Sequence, residues 1–228
     1  MVKKKMVYEL DKRLWTQEDF GQMGWHDNHI YKIKAGEDLE LDIDYILKWN
    51  TPDLEGLPFT FWIAPATLAF KKITTLSFEI DTLEADLEIQ DIERETINNE
   101  VIWTIMTHQG NFQFLCEGYD QFIRQSPFFE FGQTINFIER GGFSLERTLD
   151  QRNPNRFRED FEDRRKKEDE QYENVKKRHL KRQEKEGLEK SRSNKEISTK
   201  DYLLKKKEIK EMLFYYDYWL KGTRFENY

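Results

Sequence analysis

The chain has 228 residues, 37 Lys+Arg against 44 Asp+Glu, and a single cysteine. No run approaches the roughly 18 consecutive apolar residues of a membrane helix, and Cys116 alone permits neither an internal disulfide nor a cysteine zinc site. Charge is high at 36%, yet 17 Phe, 10 Tyr and 6 Trp are too many for a wholly disordered chain, because aromatics supply large buried area per residue.

The net charge of −7 averages two unlike parts. Residues 1–150 carry 14 basic and 27 acidic side chains, a net of −13; residues 151–228 carry 23 and 17, a net of +6. Such asymmetry predicts separate structural units. The expected fold is α+β and mainly antiparallel β, a sandwich or strongly curved sheet within an acidic domain of residues 1–150. A highly charged helical or partly disordered linker over 151–197 and an amphipathic helix over 198–222 follow. The first residues lack the apolar core of a secretory signal, and the lone thiol agrees with a cytoplasmic location.

Thr16 is placed to cap a short helix through Phe20, with Glu18 and Asp19 near its positive end. The period then changes to two. His29, Tyr31 and Ile33 alternate with Ile30, Lys32 and Lys34, and Ala35–Asp38 reads as a turn. In the next run Leu39, Leu41, Ile43, Tyr45 and Leu47 point one way and Glu40, Asp42, Asp44 and Lys48 the other. That is the pattern of a half-buried antiparallel strand with a solvated polar face. Residues 50–58 form a loop by composition. Pro65 cannot donate to a ladder, so Phe61–Phe70 is expected as an edge strand, a bulged strand or two short ones.

Strand-like runs recur at Leu76–Ile80, Leu87–Arg94, Glu100–Thr107 and Asn111–Glu117, with hairpin turns at Asn98-Asn99 and at His108–Asn111. Val101–Met106 is apolar on both faces and is expected at the sheet centre. Tyr119–Gln125 is expected as a helical turn, Phe128–Ile138 as extended. Cys116 continues the alternation of Phe112 and Phe114 and reads as an inert core thiol. From residue 156 to 192 charge dominates, and the pairs Phe157/Phe161 and Tyr172/Val175 are too few to bury a helix there. Ser198 opens a final helix with Asp201 three residues on. Tyr202, Ile209, Met212, Leu213, Tyr216, Trp219 and Leu220 form its stripe, and Gly222 ends it.

Trp25-His26-Asp27-Asn28-His29 is the most concentrated polar cluster. It admits a metal site using His26, Asp27 and His29, with His108 as the other histidine of the domain, or an acid–base pair of His26 and Asp27. The simpler reading makes Trp25 core, Asp27 and Asn28 turn residues, and His29 a cap on the strand's inner face. No phosphate loop, dinucleotide fingerprint, nucleophile elbow or zincin motif is present. No catalytic residue, cofactor or metal ligand is therefore assigned. Asp38, Glu40, Asp42, Asp44, Glu79, Asp81, Glu84, Asp86, Glu88, Asp91 and Glu93 together predict an acidic surface that steers basic partners and repels nucleic acid. The expected binding face is Glu40, Asp42, Asp44, Asp86 and Glu88. The basic tracts Arg164–Lys167 and Lys176–Arg178 are interleaved with acids, which disfavours phosphate contact.

The succession Trp25–Ile33, Leu39–Trp49 and Phe61–Phe70 resembles uncharacterised bacterial β-rich proteins related to immunity proteins of polymorphic toxin systems, over residues 15–125. That resemblance implies a non-catalytic interaction module whose acidic face binds a basic protein partner, for instance a toxin. The alternatives are a metal-dependent enzyme built on His26, Asp27 and His29, or a self-assembling protein that docks or oligomerises through Ile209, Met212, Leu213, Tyr216 and Trp219.

Overall fold

The computed structural model describes residues 8–81, 87–98 and 100–228. The chain divides into two compact units. A β unit comprises the residues up to Asn50 and Phe59–Phe157; a helical unit comprises Thr51–Pro58 and Arg158–Tyr228.

The β unit is one ten-stranded antiparallel sheet. Its strands are β1 (Leu14–Thr16), β2 (Asn28–Ala35), β3 (Leu39–Asn50), β4 (Thr60–Lys71), β5 (Thr74–Ile80), β6 (Leu87–Ile97), β7 (Glu100–Thr107), β8 (Gly110–Leu115), β9 (Gly118–Ile123) and β10 (Phe128–Glu130). The order is β1-β9-β4-β3-β2-β6-β7-β8-β5, with β10 also paired to β4. A short 3-10 helix, Gln17–Gln22, follows β1, and the Thr16 amide donates to Asp19 Oδ2 at 2.8 Å, as the capping pattern predicts.

The sheet is strongly curved. Phe70 of β4 and Trp103 of β7 lie four strands apart in the order, yet their ring centroids are 5.4 Å apart. Phe114 and Tyr119 join them, at 4.8 Å from Phe70 and 5.7 Å from Trp103 respectively. Trp25 lies against Tyr119 and donates its indole N–H to Gln121 at 2.7 Å. Only a sheet wrapped around its own concave face brings these rings together, and their burial supplies the main driving force for the unit.

Two expectations fail for physical reasons. Pro65 lies inside a continuous twelve-residue internal strand. Its carbonyl accepts from the Arg124 amide in the gap where β9 has ended and β10 has not begun, so the missing N–H leaves no ladder bond broken. Tyr119–Ile123 is strand and not helix: Tyr119, Gln121 and Ile123 alternate into the buried face, and β9 pairs with both β1 and β4. The extended segment expected over Phe128–Ile138 is confined to Phe128–Glu130, beyond which the chain is irregular.

In the helical unit, α1 (Glu159–Ser193) and α2 (Thr199–Leu220) pack together as a hairpin. The segment expected as a solvated linker is one helix of 35 residues. Val175 and Leu188 supply buried apolar positions on it. Arg178 is fully buried and donates to Asp217 at 2.9 Å and to the carbonyls of Phe225, Glu226 and Tyr228 at 2.8, 2.9 and 2.6 Å. Tyr172 donates to the Pro58 carbonyl at 3.0 Å, and Lys176 pairs with Asp53. Among the described residues no helix is long and apolar enough to cross a membrane.

Candidate functional site

The acidic face expected on β3 is not solvated. Asp42 and Asp44 are wholly buried and Glu40 nearly so. The sequence alternation is right, but the polar side is covered by the irregular chain that follows β10. Arg140 from that chain grips Asp42 with both terminal nitrogens, at 3.0 and 2.8 Å, and donates its Nε to Asp44 at 3.1 Å. Arg124 donates to the same Asp42 oxygen at 2.6 Å and to Thr67 at 2.7 Å. The amides of Ser144 and Ile135 complete the two carboxylates, and Tyr31 donates its hydroxyl to Asp44.

Two acids and two guanidiniums therefore neutralise each other inside the protein, where an unpaired charge would be prohibitive. Burial pushes the Asp44 carboxyl up, against the opposing pull of Arg140 and the Ile135 amide. Burial opposes the charge of Arg140 too, but its bonds to Asp42 and the charge of Asp44 hold the guanidinium firmly protonated. At the rim, Arg147 joins Glu40 and Asp38, and Lys34 joins Glu40. These side chains fasten residues 131–151 to the sheet and are not available to a partner. Asp86, the fourth expected binding acid, lies outside the described residues.

Glu88, the last of that set, belongs to a different constellation. Asn28 and His29 of β2 stand opposite Ile89 and Glu88 of β6 in the antiparallel register. Ile89 in turn pairs with Thr107, so the two-residue turn His108-Gln109 overhangs Glu88. The His108 amide donates to the Glu88 carbonyl at 3.2 Å, and the Glu88 amide donates to Gln109 Oε1 at the same distance. Asp27 reaches this point from the turn before β2, where its φ of +64° is tolerated by a short polar side chain. Its own amide donates to the Ile89 carbonyl at 2.8 Å.

One donor atom each from Asp27, Glu88 and His108 lie within 4.8 Å of one another. His108 Nε2 is 3.8 Å from Glu88 Oε1, and His29 Nε2 is 3.7 Å from Glu88 Oε2. The other face of Asp27 is held by His26 Nδ1 at 2.6 Å from Oδ1 and by Gln133 Nε2, which donates to Oδ2 at 2.6 Å. The chain has four histidines, and three of them, His26, His29 and His108, belong to this group. Beside His26 rises an aromatic wall: Trp49 lies 6.5 Å from the imidazole and meets Phe59 and Phe61 edge-on.

The site thus unites two features that the sequence leaves separate, the Trp25–His29 cluster and Glu88. Trp25 itself is core, and Asn28 accepts from the Ile46 amide at the bulge in β3. Gln133 carries no local sequence signal, because only the path of the covering chain brings it to Asp27. Arg124 carries a weak one, an arginine directly after the apolar pair Phe122-Ile123, and Arg140, which follows Glu139, carries none. Cys116 is partly buried, and burial pushes its thiol up to about 11, as an inert thiol requires.

No family model matches the chain, and neither a curated protein nor a solved structure is significantly similar to it.

Proposed function

We propose that the β unit is a metal-binding module, with Asp27, Glu88 and His108 as ligands to a divalent transition-metal ion. The observation that carries this reading is convergence: three histidines and two carboxylates from three separate stretches of backbone meet at one end of β2 and β6. Two ligand atoms on a tetrahedral zinc ion stand about 3.4 Å apart, from metal–ligand bonds of about 2.0–2.1 Å. The 3.8 Å between His108 and Glu88 needs only a small side-chain adjustment. Imidazole with carboxylate suits zinc, manganese, iron or nickel better than magnesium or calcium. Three protein ligands on a half-exposed surface leave a coordination position for water, the arrangement of catalytic rather than structural centres. The reaction class such a centre serves is metal-assisted hydrolysis, with the metal lowering the pKa of bound water.

Titration of chelator-stripped protein with Zn²⁺ and Mn²⁺ by calorimetry tests the reading. One equivalent is expected to bind, with affinity falling at least about tenfold in Glu88→Gln and His108→Ala. Binding of less than a tenth of an equivalent, or affinity indifferent to both substitutions, rejects it.

A second reading keeps the non-catalytic, immunity-like module. It is favoured by Asp91, Glu93 and Glu95, which remain exposed on β6, with Glu79 and Asp81 also exposed. A basic protein captured in a salt-sensitive manner, and lost with Asp91→Lys/Glu93→Lys, is its expected result; capture unaffected by that double substitution rules it out.

A further inference from the structure

The C-terminal helix has two seams, and only one is used. Tyr202, Ile209, Leu213, Tyr216 and Leu220 lie on one face, where Ile209, Tyr216 and Leu220 are buried in the helical unit. The opposite face is Lys200, Leu204, Lys207, Glu211, Phe214 and Tyr218, spaced 4, 3, 4, 3 and 4 residues apart. That is the spacing of a helix-pairing seam. All six are exposed, Phe214 at 75% and Tyr218 at 69%. Leu203 and Tyr215 flank the seam and are exposed as well. Within the chain, Lys207 and Glu211 face each other at 3.9 Å. Exposed Leu204 at one end and Phe214 and Tyr218 at the other, with Lys207 and Glu211 between them, mark an interaction surface of mixed apolar and charged character.

We infer that this face pairs with its own copy in a second chain, antiparallel and two-fold symmetric about Ile209. The seam is its own complement in that register. Residue numbers that sum to 418 meet, so Leu204 meets Phe214 of the second copy, Lys207 meets Glu211, and Lys200 lies over the Tyr218 ring. Each contact occurs twice by symmetry. A parallel pair would instead set Lys207 against Lys207 and Glu211 against Glu211, so the charges select the antiparallel partner. The face opposite, on which the sequence reading placed self-association, is unavailable at Ile209 and Tyr216, which are spent within the unit.

The test uses the full chain and light scattering coupled to size exclusion. Wild type is expected at twice 27.8 kDa at micromolar concentration. Lys207→Glu alone and Glu211→Lys alone each place like charges across the axis and should run as monomers, with helical circular dichroism unchanged because both side chains are exposed. Mixing those two variants restores opposite charges at every crossing, and the dimer should return. The double variant Lys207→Glu/Glu211→Lys should dimerise by itself, which only the antiparallel register allows. A monomeric wild type, single variants that still dimerise, or a mixture that stays monomeric each overturns the inference.

Discussion

Arg140 closes a two-pronged bond on Asp42 in a region with no solvent access, and the same carboxylate accepts a third hydrogen bond from Arg124. The pairing ties a β3 residue to chain almost a hundred positions downstream. Removing the acid leaves two guanidiniums buried with half their compensation gone. Asp42→Ala is expected to cost about 3–5 kcal/mol, the range for breaking a buried pair from one side. Urea unfolding should show a lower midpoint at unchanged slope. A loss within the range of surface substitutions would show that the network contributes little.

Acid should destabilise the protein through the rim carboxylates Glu40 and Asp38. Burial pushes Glu40 up, but its bonds to Lys34 and Arg147 outweigh that and hold it below its usual 4.5. The Lys72 amide and Arg147 hold Asp38 below 3.8. A carboxyl lowered in the folded state adds stability above its unfolded pKa and loses it as pH falls through the folded one. Asp44 is raised and has the opposite sign, so it takes up its proton without adding to the loss. The melting temperature of wild type should fall as pH drops below 4.5. Glu40→Gln should start lower at neutral pH and fall less steeply; parallel curves would rule out the rim as the source.

Metal should stabilise the protein by mass action. An ion held only by the folded state at a hundred times its Kd adds about 2.7 kcal/mol. A rise in melting temperature is expected with Zn²⁺ or Mn²⁺, absent with Mg²⁺, and lost in Glu88→Gln. Equal shifts in wild type and variant would point to binding elsewhere.

Gly110 is the hinge of the turn that presents His108. Its φ is +139°, and a β-carbon there would stand 1.9 Å from the Glu79 carbonyl oxygen and 2.7 Å from Ile80 Cα. Both obstacles are backbone of the paired strand β5 and cannot step aside. Gly110→Ala is expected to cost about 1–3 kcal/mol in backbone strain and to weaken metal binding by moving His108. Unchanged binding with the stability loss present would separate the turn from the site.

Arg178 is expected to hold the end of the helical unit. Methionine at this position preserves bulk but strands the Asp217 carboxylate and three carbonyls. Arg178→Met should cost about 1–3 kcal/mol and raise amide exchange over residues 223–228; Arg178→Lys should not rescue it, since a point donor cannot serve four acceptors in a fixed fork. Exchange rates equal to wild type would contradict this role.

Sequence alone determined the alternation of β2 and β3, the turns at 36–38 and 108–109, the capped start at Thr16 and the final amphipathic helix; of the turn expected at Asn98-Asn99, Asn99 lies outside the described residues. These features are local, carried by side-chain period and turn chemistry within a few residues. It could not say which face of β3 meets water, because that depends on where residues 131–151 travel, and a buried acid reads the same as a solvated one until its arginine is found. Nor could it place Glu88 beside His108 and Asp27, since cross-strand register decides that meeting. For Pro65, the deciding fact was a gap between two other strands. For α2 the stripe was legible and its direction was not: packing on α1 consumed one face and left the aromatic seam outward. Local pattern sets what each segment can do, and only non-local pairing decides which of those options is satisfied.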